Sequence, residues 1–572
     1  FSPASLFALG EPGVWFDPSD LTTLFTDPAG TTPVTTPGQT VGLMLDKSQG
    51  LALGAELVAN GTFDTDLSGW TAGTAGSWSA QRLQITNDGS GAGTPNVRQL
   101  ISTVAGEWYR ITFNWDSGSH GNPFFSIGTA PGGNDVFAYT QLGAGTGTRT
   151  AHFRATTTTT YINLGVWAGT LSTVAYFDNV TVKAIPGNHA TQATIAARPT
   201  YSIEPVGGRR NLLTFSEDQS NAIWLSAANS GAPTRGTLST DRPDGTTGTV
   251  NTLAFPTVAA SGFSFLYQQG GSLVGAPITY SVWLRVASGT GTVYLNVEDA
   301  AAAPTAANSF GSPALSLTTT WQRFTLTGTR TSGTGNAIAA IGFDTRVAAG
   351  QTNGAALTVQ VFGAQLETGS TATAYQRVTT QHDVTEAGVA SVGYLYFDGV
   401  NDAMATSTIT PGIDKAQVFA GVRKVSDATI GMPAEFSPVA FSNNGAFFLI
   451  AGEVTSNGYR YGFASRGTVF AYPGTISTAF NAPNTSVLTG LGDIAGDLAT
   501  IRVNGTQVAQ ATTDQGAGNY LAYPLYLGGR AGTSLFFTGH IYSLVVRFGA
   551  NLDAPTITST ETWVAGKTGI VI

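Results

Sequence analysis

The chain has 572 residues, too many for a single hydrophobic core, so several domains are expected. Charged residues make up only 11%, but 42% hydrophobic and 10% aromatic content argues against disorder, and abundant Thr, Val, Phe and Tyr favour all-β structure. A net charge of −9 with no basic stripe argues against nucleic-acid binding, no apolar run approaches the roughly 20 residues of a membrane span, and zero cysteines exclude disulfides and thiolate chemistry. The chain opens on Phe1 rather than Met, so a start upstream is expected, and no signal-peptide pattern is read at this end.

The first predicted element is Gly13-Val14-Trp15-Phe16-Asp17, which runs on to Leu45-Asp46-Lys47-Ser48. A new plan then opens at Asn60-Gly61-Thr62-Phe63-Asp64 and reaches Gly69-Trp70. In its long strand Tyr109, Ile111, Phe113 and Trp115 share one face, the period of two expected of a strand with one buried side. A strand pair between Arg149 and Trp167 and a closing strand through Phe177-Asp178-Asn179-Val180 complete this plan. Gly187-Asn188-His189-Ala190-Thr191-Gln192 and Pro199-Thr200-Tyr201 follow.

A second copy of the plan opens at Asn211-Leu212-Leu213, Ser216-Glu217 and Trp224. Its long strand places Tyr280, Val282, Leu284 and Val286 on one face, and Gly363-Ala364-Gln365-Leu366-Glu367 closes it. Beyond it come Leu395-Tyr396-Phe397-Asp398-Gly399-Val400-Asn401-Asp402 and a strand from Ala499 that enters the Asn504-Gly505 turn, a strong hairpin signal. A short helix is predicted over Pro555 to Ala565, with Ser559 or Thr560 near its start and Gly566 ending it.

Joined end to end, the segments around Trp15, Asp46-Lys47-Ser48, Asn188-His189-Ala190-Thr191-Gln192 and Phe397-Asp398-Gly399 resemble the opening of concanavalin/laminin-G-like domains of bacteriophage structural proteins. The two intervening plans resemble jelly-roll carbohydrate-binding modules, the first more closely. The resemblance implies an all-β chain of three β-sandwich or jelly-roll domains and a short C-terminal helix. Residues 1–50, 188–205 and 390–572 would form one discontinuous lectin-like sandwich, with 51–187 and 206–389 as insertions. The plainer alternative is four domains in a row, with residues 1–50 as an arm.

An aromatic face packs on the apolar face of a pyranose while polar neighbours fix its hydroxyls. Trp78, Tyr139, Trp167 and Trp283 are the glycan-binding candidates. Trp283 stands out because it points opposite to Tyr280, Val282 and Leu284; packing beneath a loop or against a neighbour is the alternative for each. Trp70, Trp115 and Trp224 sit on core-like patterns. The likeness to sugar-binding modules also implies a structural Ca2+ at Asn60, Asp64 and Asp178, and by analogy at Glu217 and Glu367, although turn carboxylates more often cap their own backbone. A hydrogen-bonded turn is expected at Asp398, Asn401 and Asp402.

The five histidines are scattered, and no nucleophile elbow or phosphate-binding helix start is read, so no enzyme is expected. The leading expectation is a virion surface protein, a tail fibre, spike or head fibre, that binds host-surface polysaccharide. Its partners would be other tail or capsid proteins, and by analogy with phage fibres it would be a homotrimer. A structural decoration or spacer protein is the second reading. A secreted bacterial adhesin, or the accessory part of a polysaccharide-degrading enzyme, is the third.

Overall fold

A computed structural model of the chain describes residues 1–89, 96–167, 169–346, 351–352, 354–452 and 458–572. It is built almost entirely of strands, with a few 3-10 turns and one α-helix at the C-terminal end. The chain divides into two compact units, Phe1–Tyr201 with Gly393–Ile572, and Ser202–Val392.

In the first unit, chain ends far apart in sequence meet in one sheet. Gly13–Phe16 pairs antiparallel with Thr538–Phe548, Gly13 facing Arg547 and Phe16 facing Leu544. Leu395 to Asp398 pair along the same side of that strand, from Ile541 to Thr538. Lys415–Lys424, Asn484–Asp493 and Leu498–Val503 continue the sheet on the other side. The facing sheet is ten-stranded and threads Leu43–Met44, Ala190–Thr191 and Met404–Ile409 side by side. Phe436, Phe447, Phe463 and Phe548 are fully buried within this sandwich.

A buried carboxylate holds the dispersed segments together. Asp46 is 0% exposed and accepts hydrogen bonds from Trp15 N (2.8 Å), Ser48 N (2.8 Å), Ser48 Oγ (2.8 Å) and Asn188 N (2.7 Å). Its own N–H donates to His189 Nδ1 at 2.9 Å. Burial raises the pKa of this carboxyl, and its hydrogen-bond donors oppose the rise.

The same unit carries a jelly roll between the residues of the sandwich. Trp108–Asp116 buries Tyr109, Ile111 and Phe113, turns Asn114 to solvent, and lies between Thr146–Arg154 and Val174–Ala184. The opposing sheet comprises Asn96–Ser102, Thr159–Val166, Pro123–Gly128 and Phe137–Gln141. This jelly roll is seated on the sandwich through an apolar cluster of Phe25, Leu43 and Leu45 with Trp108 and Ile185.

The second unit repeats the two-sheet plan around Trp224, Tyr280, Val282, Leu284 and Phe343. Arg330 and Asp299 form an ion pair inside it with both side chains 0% exposed.

The helix spans Ala554–Thr568, longer at both ends than the sequence suggested. Asp553 Oδ1, not Ser559 or Thr560, accepts from Thr556 N at 2.9 Å, and Pro555 sits in the first turn, where its missing N–H costs nothing. Gly566 lies inside the helix, and Gly569, at φ +71°, ends it. The hairpin read at Asn504-Gly505 forms, with positive φ at both residues, between Leu498–Val503 and Thr506–Ala511.

Candidate functional site

Trp283 lies on Pro277–Val286, whose Tyr280, Val282 and Leu284 fill the core, so the indole projects from the opposite face, as its phase in the strand required. The partner strand Leu357–Thr368 slips register here: Ser281 faces Gln365, but Trp283 faces Phe362. Gly363 occupies the slip at φ +63°, and a Cβ there would stand 2.8 Å from Trp283 Cε3 and 3.2 Å from Tyr375 Cζ. Only glycine lets the backbone pass beneath both rings. Tyr375 meets Trp283 edge-on, with ring centroids 5.3 Å apart, and the Arg323 guanidinium lies 4.7 Å from the indole centroid.

These rings wall a cleft of about 350 Å³, with Phe362 also lining it. The hairpin Gln376–Thr380 and Asp383–Glu386 contributes Arg377 and Glu386, while Glu217 and Asp244 come from elsewhere in the unit. Ser216 Oγ accepts from Val378 N (2.9 Å) and shares a hydrogen bond with the Tyr375 hydroxyl at 2.7 Å. The Tyr375 hydroxyl is also hydrogen-bonded to the Glu217 carboxyl. Burial pushes the Glu217 carboxyl above the usual range, against the pull of Arg377 and Arg242. Arg377 Nε stands 3.6 Å from Glu217 Oε2, an ion-pair distance beyond hydrogen-bond reach. Glu386 is engaged by Arg210 (2.8 Å) and Gln376 Nε2 (3.0 Å). Asp244 Oδ1 accepts from Thr246 N (2.9 Å) and Thr246 Oγ1 (2.7 Å).

The other aromatic candidates belong to the first unit. Tyr139 and Trp167 meet there, with centroids 5.8 Å apart, and both stand edge-on to the buried Phe124. The Tyr139 hydroxyl is spent on Gly132 O at 2.6 Å. Trp78 is 44% exposed, and its Nε1 donates to Phe63 O at 2.7 Å. Trp70 and Trp224 are buried as their patterns indicated, at 8% and 0% exposure. Trp115 is half-buried against the core and also lines a cleft of about 310 Å³. In that cleft Arg82 pairs with Asp116 at 3.0 Å and covers the Tyr176 ring at 4.1 Å.

The calcium residues are satisfied by their own neighbours. Asn60 turns its amide Nδ2 toward Asp66 O (3.0 Å) and Ser68 O (3.2 Å), and Asp64 Oδ2 accepts from Thr62 Oγ1 at 2.9 Å. Asp178 accepts from Asn179 N at 2.7 Å and from Asn179 Nδ2 at 3.1 Å. Its carboxyl is raised by burial first, and further by Asp64. Among the described residues no three His, Asp or Glu side chains converge as a metal would require. Asn60, Asp64 and Asp178 alone supply fewer than the six to eight oxygens that calcium takes, so backbone carbonyls would have to complete a site there. Glu367 is equally committed, accepting from Thr373 N (3.0 Å) and Gln365 Nε2 (2.7 Å), while Glu217 belongs to the Trp283 cleft. Asp398 Oδ1 accepts from the N–H groups of Val400 (2.8 Å), Asn401 (3.1 Å) and Asp402 (3.3 Å), forming the turn read there. Burial and the neighbouring Asp398 push Asp402 up to about 7.

The sequence singled out Trp283, and Glu217 only as a calcium candidate; the other groups of the cleft were not read. Arg377 was legible as the outward residue between the buried Gln376 and Val378, a weak signal in a charge-poor chain. Nothing in the sequence brings residue 217 to residue 377.

No protein-family model matches the chain, and no curated protein matches it. Solved structures give distant likenesses. The CBM22-1–CBM22-2 tandem domain of Paenibacillus barcinonensis Xyn10C is 11% identical, with a TM-score of 0.23 over 55% of this chain and 98% of that one. The enzymatically active domain of bacteriophage CBA120 tailspike protein 4 is 16% identical, with a TM-score of 0.21 over 28% and 21%. The CBM40 module of Ruminococcus gnavus IT-sialidase, bound to alpha2,3 sialyllactose, is 16% identical, with a TM-score of 0.21 over 27% and 97%. At this level the likenesses establish neither family nor ligand for the chain.

Proposed function

We propose that this chain is a non-enzymatic surface protein of a bacteriophage virion, and that it holds host-surface glycan in the cleft beside Trp283. The cleft itself supports the reading best: about 350 Å³ walled by Trp283, Tyr375 and Phe362, with carboxylates and a guanidinium at its edge. Apolar rings with a few convergent polar groups are what a pyranose needs, one surface for its C–H face and acceptors and donors for its hydroxyls. The virion assignment rests on the resemblance of the Trp15, Asp46, His189 and Phe397 segments to phage structural proteins. In this reading the chain is a tail fibre, spike or head fibre that assembles with other virion proteins as a homotrimer, and several copies turn weak single sites into firm attachment.

Binding of the purified chain to a glycan array and to host cells, with Trp283→Ala alongside, tests the reading. Saturable binding to one glycan class, lost in the variant and with the sugar recovered intact, supports it. Binding that survives Trp283→Ala moves the site to the Tyr139–Trp167 cluster or the Trp115 cleft. No binding by a folded, assembled chain favours decoration or spacing instead.

A further inference from the structure

The charge of the Trp283 cleft points to a narrower ligand class than glycan in general. Glu217, Asp244 and Glu386 line it, with Arg377 as the one cation among its lining residues. The other nearby guanidinia make their hydrogen bonds away from the cleft, although Arg242 still pulls on Glu217 through space. Arg323 donates to Thr373 O (2.7 Å) and Ser281 Oγ (2.9 Å) behind the indole, and Arg242 lies over the Phe362 ring, 5.5 Å from its centroid, with Nη2 on Thr249 O. Arg210, outside the cleft lining, is taken up by Glu386.

Glu217 is the under-compensated member. Its side chain is only 23% exposed, and its partner Arg377 sits at 3.6 Å and is itself 50% exposed. A carboxylate that has lost most of its water, and whose ion-pair partner is solvent-exposed and beyond hydrogen-bond reach, gains from a cationic ligand group through a short charge-assisted bond. An acidic sugar would place a second anion against it, and like charges brought together at a binding site cost several kcal/mol.

Resting on the glycan-binding reading above, we infer that the cleft takes a saccharide bearing a free ammonium group, seated between Trp283 and the carboxylates of Glu217 and Asp244, and rejects uronic or sialic acids. The aromatic wall contributes in the same direction, because the face of an indole or phenol ring attracts a cation.

The test uses the full chain and three oligosaccharides of equal length: glucosamine, N-acetylglucosamine and glucuronic acid. The titrations run at pH 5.5, well below the α-amino range, so that the sugar amine is protonated. The amine oligomer should bind at least ~10-fold tighter than the acetylated one, with no measurable binding of the uronate. Glu217→Gln should bring the amine-to-acetyl ratio close to one while the thermal midpoint holds, and Asp244→Asn at the exposed rim should lower the ratio partway. Trp283-dependent binding that prefers the uronate, or a ratio unchanged in both variants, overturns the inference and leaves the glycan-binding reading standing. Binding of none of these or of any arrayed glycan overturns both.

Discussion

Acidification should loosen the seat between the first jelly roll and the sandwich, and His152 should carry a defined part of the loss. His152 is 3% exposed on the strand Thr146–Arg154. Its backbone N–H donates to Ala29 O at 2.7 Å, and its Nδ1–H donates to Gly30 O at 3.1 Å. Phe25 packs on the imidazole at 5.0 Å, and any side chain at Gly30 would run into the ring. Burial drives its pKa from 6.5 down to about 4; the Gly30 carbonyl and Asp27 oppose the shift, and Arg110 adds to it. The unfolded chain takes up the proton near 6.5, while the folded chain stays neutral until about 4. The stabilisation is therefore complete above pH 6.5, falls as pH drops through this window, and is gone below it. A displacement of that size at ~1.4 kcal/mol per unit is about 3 kcal/mol. His189, held down to about 3 by burial, acts in the same direction.

Urea unfolding of the wild type and His152→Gln from pH 7 to 4.5 measures this. Glutamine can keep a donor near Gly30 O but does not titrate. Groups remote from His152 titrate alike in both proteins and cancel in the difference, whereas His189, which His152 helps to hold down, is relieved in the variant. The free-energy gap between the two should move by about 2–3 kcal/mol in favour of the variant as pH falls. Parallel pH profiles would refute the buried, neutral imidazole.

Three further outcomes follow from individual groups. Asp46→Ala should cost more than about 3 kcal/mol in denaturant unfolding, because it leaves the Trp15, Ser48 and Asn188 donors buried without an acceptor. Gly363→Ala should destabilise by about 1–2 kcal/mol from its left-handed φ alone, and should weaken any ligand of the cleft by displacing Trp283, read by calorimetry and titration of the same sample. Chelation of calcium should leave the thermal midpoint unchanged, since Asn60, Asp64 and Asp178 are held by Asp66, Ser68, Thr62 and Asn179.

The all-β architecture was readable because one long strand in each jelly roll alternates its large apolar residues, and Tyr109, Ile111 and Phe113 in one copy and Tyr280, Val282 and Leu284 in the other are buried. Turn chemistry was equally plain at Asn504-Gly505. The helix limits were misread because its Thr-rich sequence offers several capping residues, and the decisive one, Asp553, precedes Pro555 by two positions. The site divided differently. Strand phase exposed Trp283, but the cleft is completed by residues 217, 244, 362, 375, 377 and 386, and alternation along one strand carries no information about which loops converge above it. The Glu217 and Glu367 pair shows the same limit: similar places in a sequence plan gave one carboxylate hydrogen-bonded to Thr373 and Gln365 and one facing a cleft.

The central claim is that Trp283 marks a glycan site, and the most direct measurement is glycan-array binding by the full chain beside a Trp283→Ala variant of matched thermal midpoint. The account predicts saturable binding to one glycan class that the variant loses. A folded chain that binds no glycan, or a variant that binds as well as the wild type, would contradict it.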